Sequence, residues 1–490
     1  MNKVAIIGAG HNALVAACYL AKAGLEVDMY EKADKAGGLC INSEVWPGYN
    51  VSIWANWSGM FAPKIIEDLE LSLPPILHSG DAIITASGGC YSDKPYFEGL
   101  REEDLDDLSK LESDFCKLAG ALSKQFLAEH PSKKSLLELT SSLELNFSAE
   151  ELLSSSFLKT VDRYISHKEL ATAIGYESFT HPLHPGSAYG HVHMRVADHW
   201  GEGWGMIKGG MGAITDTLID KAKELGVRIH TGVKIERVYY KDNKLTYALG
   251  SDGKEITSEI IISGTDYFSL QTLLGREIKN EMRDHPYGNA NIHIKLSSLP
   301  NFTALDNLGI KTPPTMTLVP TREEIEAGYV QYLKGENIDH PVISIGIPSL
   351  IDPNRAPDDK HFMCIHPDHA PLKWNGKSWS YKARQEYIQH ILDETSRYAP
   401  NIHECVEDAK LFCADDLSQD YGALGAHCFH GDISWPFALE DRMPDYGAGP
   451  YTDIKNLYLC GSSCAPGGTV TGAPGYRCAM AIIKDISNAS

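Results

Sequence analysis

Lys3-Val-Ala-Ile-Ile-Gly-Ala-Gly-His-Asn-Ala13, continued by Leu14-Val-Ala-Ala-Cys-Tyr-Leu-Ala-Lys-Ala23 and Glu26-Val-Asp-Met-Tyr-Glu31, decides the fold of this chain. It reads as an apolar strand, a glycine turn from Gly8 to Ala13, an alanine-rich helix and a second strand that ends in an acid. Gly8 lets the chain turn sharply out of the strand, and Gly10 lets the backbone approach a pyrophosphate with no Cβ in the way. His11 and Asn12 open the helix, whose free N–H groups and positive dipole end suit that phosphate. Ala13 stands at the third glycine position, where a small residue lets the helix pack on the strand. Glu31, 23 residues beyond Gly8, places a carboxylate where it can accept from both hydroxyls of an adenosine ribose and repel a 2′-phosphate. Glycine turns also serve mere packing, but strand, helix and acid in register point to a dinucleotide.

Which dinucleotide follows from Lys32-Ala-Asp-Lys-Ala-Gly-Gly-Leu-Cys40. Gly37 and Gly38, flanked by Lys32 and Leu39, allow close approach along the rest of an extended cofactor, whereas NAD enzymes usually run straight into another helix. The stretch resembles the second FAD signature of the amine oxidase and phytoene desaturase superfamily, and FAD is the expected cofactor.

With 490 residues the chain is too long for one core, and two or three interwoven domains are expected. It carries 44 Lys and Arg against 65 Asp and Glu, a net charge of −21 that repels nucleic acid and anionic headgroups. No apolar run reaches spanning length, so membrane contact is at most peripheral. The first strand begins within three residues of the start, leaving no room for a leader, and a cytoplasmic location is expected. Eleven cysteines, scattered without a CxxC pair, read as reduced and mostly buried thiols.

Beyond Cys40, the aromatic segment Ile41 to Ala62 is expected either beside the flavin, through Ser52 to Ser58, or as a hydrophobic loop between domains. Pro63 to His78 reads as a helix and a proline turn, and Ala82 to Phe97 as a hairpin of short strands. From Leu100 to Leu158 apolar residues recur at helical spacing (Leu105, Leu108, Leu111, Phe115, Leu118, Leu122), predicting a helical insertion over the substrate site. Its acidic run Glu102 to Asp107 reads as a solvated face. Five histidines lie between His181 and His199, but their spacing is irregular and no acid or cysteine cluster completes a shell, so no metal is expected; one histidine facing the flavin is the alternative.

Trp204 to Leu218 is a glycine-dense turn feeding a helix to about Leu225, followed by strands at Gly226 to His230 and Val233 to Val238. Val233 is expected to set its N–H and C=O against the adenine edge. No second glycine fingerprint with its own acid appears, so the separate NAD(P)H domain of a disulfide reductase is absent. Leu270 to about Asp416 reads as short strands, proline turns and one long helix near Tyr381 to Tyr398. At the other end, the strand Asn456 to Cys460 leads into Gly461-Ser-Ser-Cys-Ala-Pro-Gly-Gly-Thr-Val-Thr-Gly-Ala-Pro-Gly475 and a terminal helix. Gly461, Gly468, Val470 and Thr471 belong to this loop, whose N–H groups from Val470 to Gly472 can stabilise negative charge on a reduced flavin at N1 and C2=O.

With these pieces in this order the chain resembles the phytoene desaturase-like branch of the FAD-dependent amine oxidase superfamily. Pro185-Gly-Ser-Ala-Tyr189, Trp204 to Gly212 and Gly425-Ala-His-Cys-Phe-His-Gly-Asp432 are similar to the subgroup called pyridine nucleotide-disulfide oxidoreductase domain-containing protein 2. The superfamily commonly has glycine where Ala13 stands and arginine where this chain has Lys32 and Lys35. The resemblance implies an α/β fold, with a Rossmann-like FAD-binding domain of the GR2/amine oxidase type interleaved with a mixed-sheet plus helical substrate domain. The expected division is 1–98, 201–270 and 431–490 for FAD binding, 99–200 for the helical region and 271–430 for the substrate domain. It implies desaturation, saturation or isomerisation of lipophilic, often isoprenoid molecules. The expected reaction is dehydrogenation of a C–C or C–N bond of a largely uncharged small molecule, with hydride passing to flavin N5 and a base or water taking the proton. His427, His430, Trp204 and Lys208 are the candidate catalytic residues, with loop histidines and a packing tryptophan as the alternative. Oxygen, a quinone or another acceptor would reoxidise the flavin, and a homodimer is compatible with the chain. Two rival readings stand: an amine or amino-acid oxidase-like enzyme, which the acidic charge would suit, and a non-catalytic interaction protein stabilised by FAD.

Overall fold

β1 (Lys3–Ile7) and β2 (Glu26–Tyr30) pair in parallel, joined by α1 (His11–Lys22). The computed structural model describes residues 3–78, 80–92, 94–201, 203–278, 287–423, 427 and 429–489. β1 is the middle of a five-stranded parallel sheet in the order Arg228–His230, β2, β1, Ile260–Ser263, Leu457–Leu459. β1 and its neighbour Ile260–Ser263 are almost unbroken apolar runs because both faces of the sheet are covered there. α1, Gly212–Glu224 and Ala473–Ala489 cover one face, while Tyr267–Leu274 and the hairpin Ile235–Lys241/Lys244–Gly250 cover the other. Three distant stretches of chain thus build one nucleotide-type layer. The strand order reverses at β1, which opens a crevice beyond the carboxyl ends of β1 and Ile260–Ser263.

A second sheet of eight strands runs in the order Val406–Phe412, Asn291–Leu296, His361–Pro367, Ile343–Gly346, Thr315–Leu318, Asp81–Ile84, Gly89–Tyr91, Lys94–Tyr96. All its pairings are antiparallel except that of Thr315–Leu318 with Asp81–Ile84. Ala82 to Phe97, read from sequence as a hairpin within the first FAD-binding segment, instead lends the strands Asp81–Ile84, Gly89–Tyr91 and Lys94–Tyr96 to this other sheet. The helix Tyr381–Ser396 packs its Tyr387, Ile388 and Ile391 against Ile292, Ile294 and Ile365. A further helix, Arg322–Lys334, lies in a region read only as strands and turns.

The helical layer begins with Glu102–Phe126, whose Leu111, Phe115, Leu118 and Leu122 are buried as their spacing predicts, while Leu105 is exposed. In the acidic run Asp104 departs from the solvated expectation. It is buried and caps the helix, its carboxylate accepting from the Arg101 N–H at 3.0 Å and from the Arg101 guanidinium at 2.9 and 3.0 Å. The ten described cysteines are all buried but Cys116; Cys428 lies outside the described residues. Among the described residues no helix is long and apolar enough to cross a membrane.

Candidate functional site

The turn after β1 is built to approach something closely. Gly8 has φ +86° and donates its N–H to the Tyr30 carbonyl at 2.8 Å. Gly38 has φ +61°, and a Cβ there would lie 3.0 Å from Gly10 Cα, so the two glycine motifs touch backbone to backbone. Gly37 holds that contact by donating to the Ala9 carbonyl at 2.9 Å. Gly10 precedes α1 with no side-chain cap, and the first turn of α1 has no acid, which leaves its N–H groups to an anion. Asn12 is buried, gives its amide to Ser462 Oγ at 3.1 Å and leaves Oδ1 without a partner. His11 Nε2 is likewise orphaned, and burial, reinforced by His430, pulls this imidazole down to about 4. It is therefore neutral and can donate or accept one hydrogen bond at that nitrogen.

Glu31 follows directly on β2 as a buried carboxylate. Its Oε2 accepts from the Ala9 N–H at 2.8 Å and Oε1 from the Ala33 N–H at 2.9 Å. Each oxygen keeps a lone pair for a further donor, as a pair of ribose hydroxyls requires.

The far end of the chain closes on the same crevice. A Cβ on Gly461 would lie 1.9 Å from the Thr265 carbonyl oxygen, and one on Gly475 would lie 2.0 Å from the Asn12 carbonyl oxygen. The glycine-rich loop therefore seats the terminal helix directly against α1. The N–H groups of Val470, Thr471 and Gly472 donate to no partner among the described residues. Thr469 Oγ1 also has no partner. Orphaned polar atoms, a glycine cradle and two free lone pairs at Glu31 are what an extended dinucleotide would satisfy, and these residues fit FAD.

A cavity of about 1070 Å³ joins these parts. Gly8, Gly10, His11, Asn12, Ala13, Glu31, Lys32, Gly38, Leu39 and Val470 line it, as do Trp204, His427 and His430. Gly37, Gly461, Gly468 and Thr471 stand behind the wall as close-packing positions; a Cβ on Gly468 would lie 2.3 Å from Phe429 Cα. His427 accepts from the Phe429 N–H at Nδ1, 3.2 Å, and sets Nε2 3.8 Å from Asp432 Oδ1. His430 has φ +53° and its Nδ1 lies 3.7 Å from Asp266 Oδ2. Trp204 lines the chamber while its indole N–H donates to the Met194 carbonyl at 3.0 Å. Of the motif Gly425 to Asp432, Gly425, Ala426 and Cys428 lie outside the described residues.

Two expectations are corrected. Lys208 is exposed and outside the cavity wall. Its turn is instead a joint: Asn42 donates to the Gly209 carbonyl at 2.6 Å and accepts from Gly212 N–H at 3.1 Å, which directs the lysine outward. Val233 cannot offer its N–H to adenine, because that group donates to the Glu31 carbonyl at 2.9 Å; Lys234 and Ile235 line the cavity instead.

The stretch Ser52 to Ser58, expected beside the flavin or as a loop between domains, reaches the cavity through Trp54 to Trp57, whereas Glu177 and Asp368 carry no local sequence signal. Trp54, Ala55, Asn56 and Trp57 line the cavity, and the segment is pinned by buried polar groups of the second sheet. Asn291 Nδ2 donates to the Ile53 and Trp54 carbonyls at 2.7 and 2.9 Å, and His293 Nε2 lies 3.0 Å from the Ile53 carbonyl. Glu177 and Asp368 face the cavity, and burial pushes each carboxyl up to about 7, Asp368 being raised further by Glu177. The histidine-rich stretch is mostly packing: His181 lies against Tyr329 and Tyr332, and His193 against Phe126 and Phe179. His191 reaches the cavity, stacked on Phe157 at 3.9 Å. Among the described residues no group of three or more histidines, cysteines or acids is disposed to hold a metal ion.

Compared with known proteins, residues 14–483 match the family described as flavin containing amine oxidoreductase. The pyridine nucleotide-disulfide oxidoreductase domain-containing protein 2 of Rattus norvegicus is 24% identical, aligning 99% of this chain with 93% of its own length. A phytoene desaturase (lycopene-forming) of Pseudescherichia vulneris is also 24% identical, over 99% of this chain and all of that protein. Among solved structures, an oxidoreductase from Methanosarcina mazei superposes with a TM-score of 0.63 at 16% identity, covering 98% of this chain and 100% of that one.

Proposed function

The chain belongs to the flavin containing amine oxidoreductase family, with FAD as its cofactor, and on that premise we propose that it dehydrogenates a C–C or C–N single bond of a small molecule with a lipophilic body. The observation that carries this reading is the continuity of one cavity from Glu31 through the first turn of α1 to Val470 and on into a chamber walled by Trp54, Trp57, Phe179, Trp204 and Phe429. About 1070 Å³ lies at or beyond the upper end of the usual range for a single ligand pocket, about 300–1,000 Å³, and suits cofactor and substrate together. When bound, the flavin supplies hydride acceptance at N5.

In this reading Glu31 accepts from the ribose, and the N–H groups at the start of α1, with His11 and Asn12, hold the diphosphate. The N–H groups of Val470 to Gly472 hold negative charge at the pyrimidine edge of the ring. Trp204 and Phe429 keep the chamber dry and orient the substrate, with His427 and His430 as its nearby polar groups. The phytoene desaturase relative supports the lipophilic body. The FAD-binding segments are proposed as 1–80, 201–270 and 431–490.

Anaerobic titration of the yellow protein tests the proposal, following flavin absorbance while lipids, polyenes, amines and amino acids are added. Bleaching by a polyene or other lipid supports a desaturase, and bleaching by amines alone an oxidase. No bleaching by any compound would make the chain a flavin-stabilised scaffold and end the dehydrogenase reading.

A further inference from the structure

We propose that this cavity holds its ligand by a hydroxyl group, which gives its hydrogen to Nε2 of His366. Calling that ligand the substrate rests on the dehydrogenase reading; the hydroxyl site itself does not.

The amide of Asn291 decides which nitrogen of His366 carries the proton. Asn291 is fully buried, and its Nδ2 donates to the carbonyls of Ile53 and Trp54 at 2.7 and 2.9 Å. Turned over, the amide would set its own oxygen against both carbonyl oxygens, so its orientation is fixed and Oδ1 stands on the other side. That Oδ1 lies 2.9 Å from His366 Nδ1. The antiparallel pairing of Ile292 with Ile365 brings the two side chains together, one residue further along neighbouring strands. An amide oxygen only accepts, so Nδ1 donates. Burial holds the imidazole at about 4, and a neutral ring has a single N–H to give. Asn291 takes it, and Nε2 keeps a lone pair.

The protein sets nothing against that lone pair. No described residue donates to Nε2, and the other group that acts on the ring, the Ala290 backbone carbonyl, is also an acceptor. His366 nevertheless lines the cavity. Asn289, two residues before Asn291, lines it as well; it is 4% exposed, and its Oδ1 has no hydrogen-bond partner. None of the three belongs to the nucleotide layer. An imidazole fixed as an acceptor and an amide left unused by the fold suit a hydroxyl, because one takes its hydrogen and the other can donate to its oxygen. A neutral ring brings no charge, which matches an otherwise uncharged ligand with a lipophilic body.

The test uses the FAD-loaded protein in two ways. Nitrogen NMR of its isotope-labelled histidines at neutral pH should show His366, identified by the signals missing from His366→Phe, with a protonated Nδ1 and a bare Nε2. An imidazolium, or a proton placed on Nε2 and given to the Ala290 carbonyl, overturns the proposal. Calorimetry then compares the n-alkanols from butanol to decanol, each against the methyl ether with the same number of heavy atoms. At least one alcohol should bind about fivefold tighter than its ether, the worth of a neutral hydrogen bond, and should move the Nε2 resonance upfield. The preference should vanish in His366→Phe, with bound FAD reporting that the variant is folded. Equal affinity for alcohols and ethers, no binding of any alcohol, or a preference that survives the substitution overturns the proposal. A preference for alcohols with no bleaching of the flavin by any compound would keep the hydroxyl site and sink the dehydrogenase reading. Bleaching without that preference would do the reverse.

Discussion

Glu31→Gln separates the nucleotide's ribose from the rest of the site. In the protein the two carboxylate oxygens accept from Ala9 and Ala33, at 2.8 and 2.9 Å. Glutamine keeps one acceptor. Ala9 is buried and Ala33 exposed, so the amide oxygen turns to Ala9 and water serves the Ala33 N–H. The cost to the protein without cofactor is then about 1 kcal/mol, a single neutral hydrogen bond. The cost to FAD is larger, because one ribose hydroxyl loses its acceptor and the other loses a charged one. Hydrogen bonds to charged groups contribute about 1.5–3 kcal/mol, so a net loss of about 2–3 kcal/mol weakens FAD about 30- to 150-fold. Quenching of FAD fluorescence by the apoprotein measures the affinity, and thermal melting checks the fold. An affinity within about threefold of the unaltered protein would show that Glu31 does not hold the ribose.

Acid should unfold the protein through its buried histidines. His11, His293 and His366 are held near about 4, and His191 and His193 near about 3, chiefly by burial. The unfolded chain binds more protons below about 6.5, so their contribution is present above that value and lost as pH falls toward the folded values. Glu177 and Asp368 run the other way, losing their contribution as pH rises toward about 7, but they are two against five. The melting midpoint is expected to fall between about pH 6.5 and 4, and a flat or rising midpoint contradicts this. Gly475→Ala should destabilise by about 2–3 kcal/mol in urea, despite alanine's better helix propensity, because its Cβ meets the Asn12 carbonyl; a stabilised variant would show that the two helices can part. Arg442 is fully buried and donates to the carbonyls of Phe429, Gly431 and Asp432, so Arg442→Met should cost about 3 kcal/mol and lower flavin loading by loosening the His430 loop. Unchanged melting and loading would remove Arg442 from that role.

The nucleotide layer was legible because its signals are local. Gly8, Gly10 and Glu31 lie within one strand, turn, helix and strand, and each performs its task through backbone geometry that residue type alone dictates. The helix Arg322–Lys334 carries local signals too: Thr321 and Glu324 form a capping box, and Gly335 closes it at φ +67°. The second sheet was not, since Asp81–Ile84 finds its parallel partner at Thr315–Leu318, more than two hundred residues away, and short strands carry no mark of their partners. Lys208 shows the limit for sites. A lysine in a glycine turn has the right chemistry, but only the hydrogen bonds of Asn42 decide that the turn faces outward. Glu177 and Asp368 lie in unrelated segments, so their meeting is a property of the tertiary fold alone.

A crystal structure of the protein loaded with FAD would show whether one crevice holds the whole nucleotide. The diphosphate is expected within hydrogen-bond reach of the first turn of α1, the ribose on Glu31 and the flavin ring beside Val470. Protein that stays colourless in excess FAD, or density that puts the flavin ring at Glu31, would contradict it.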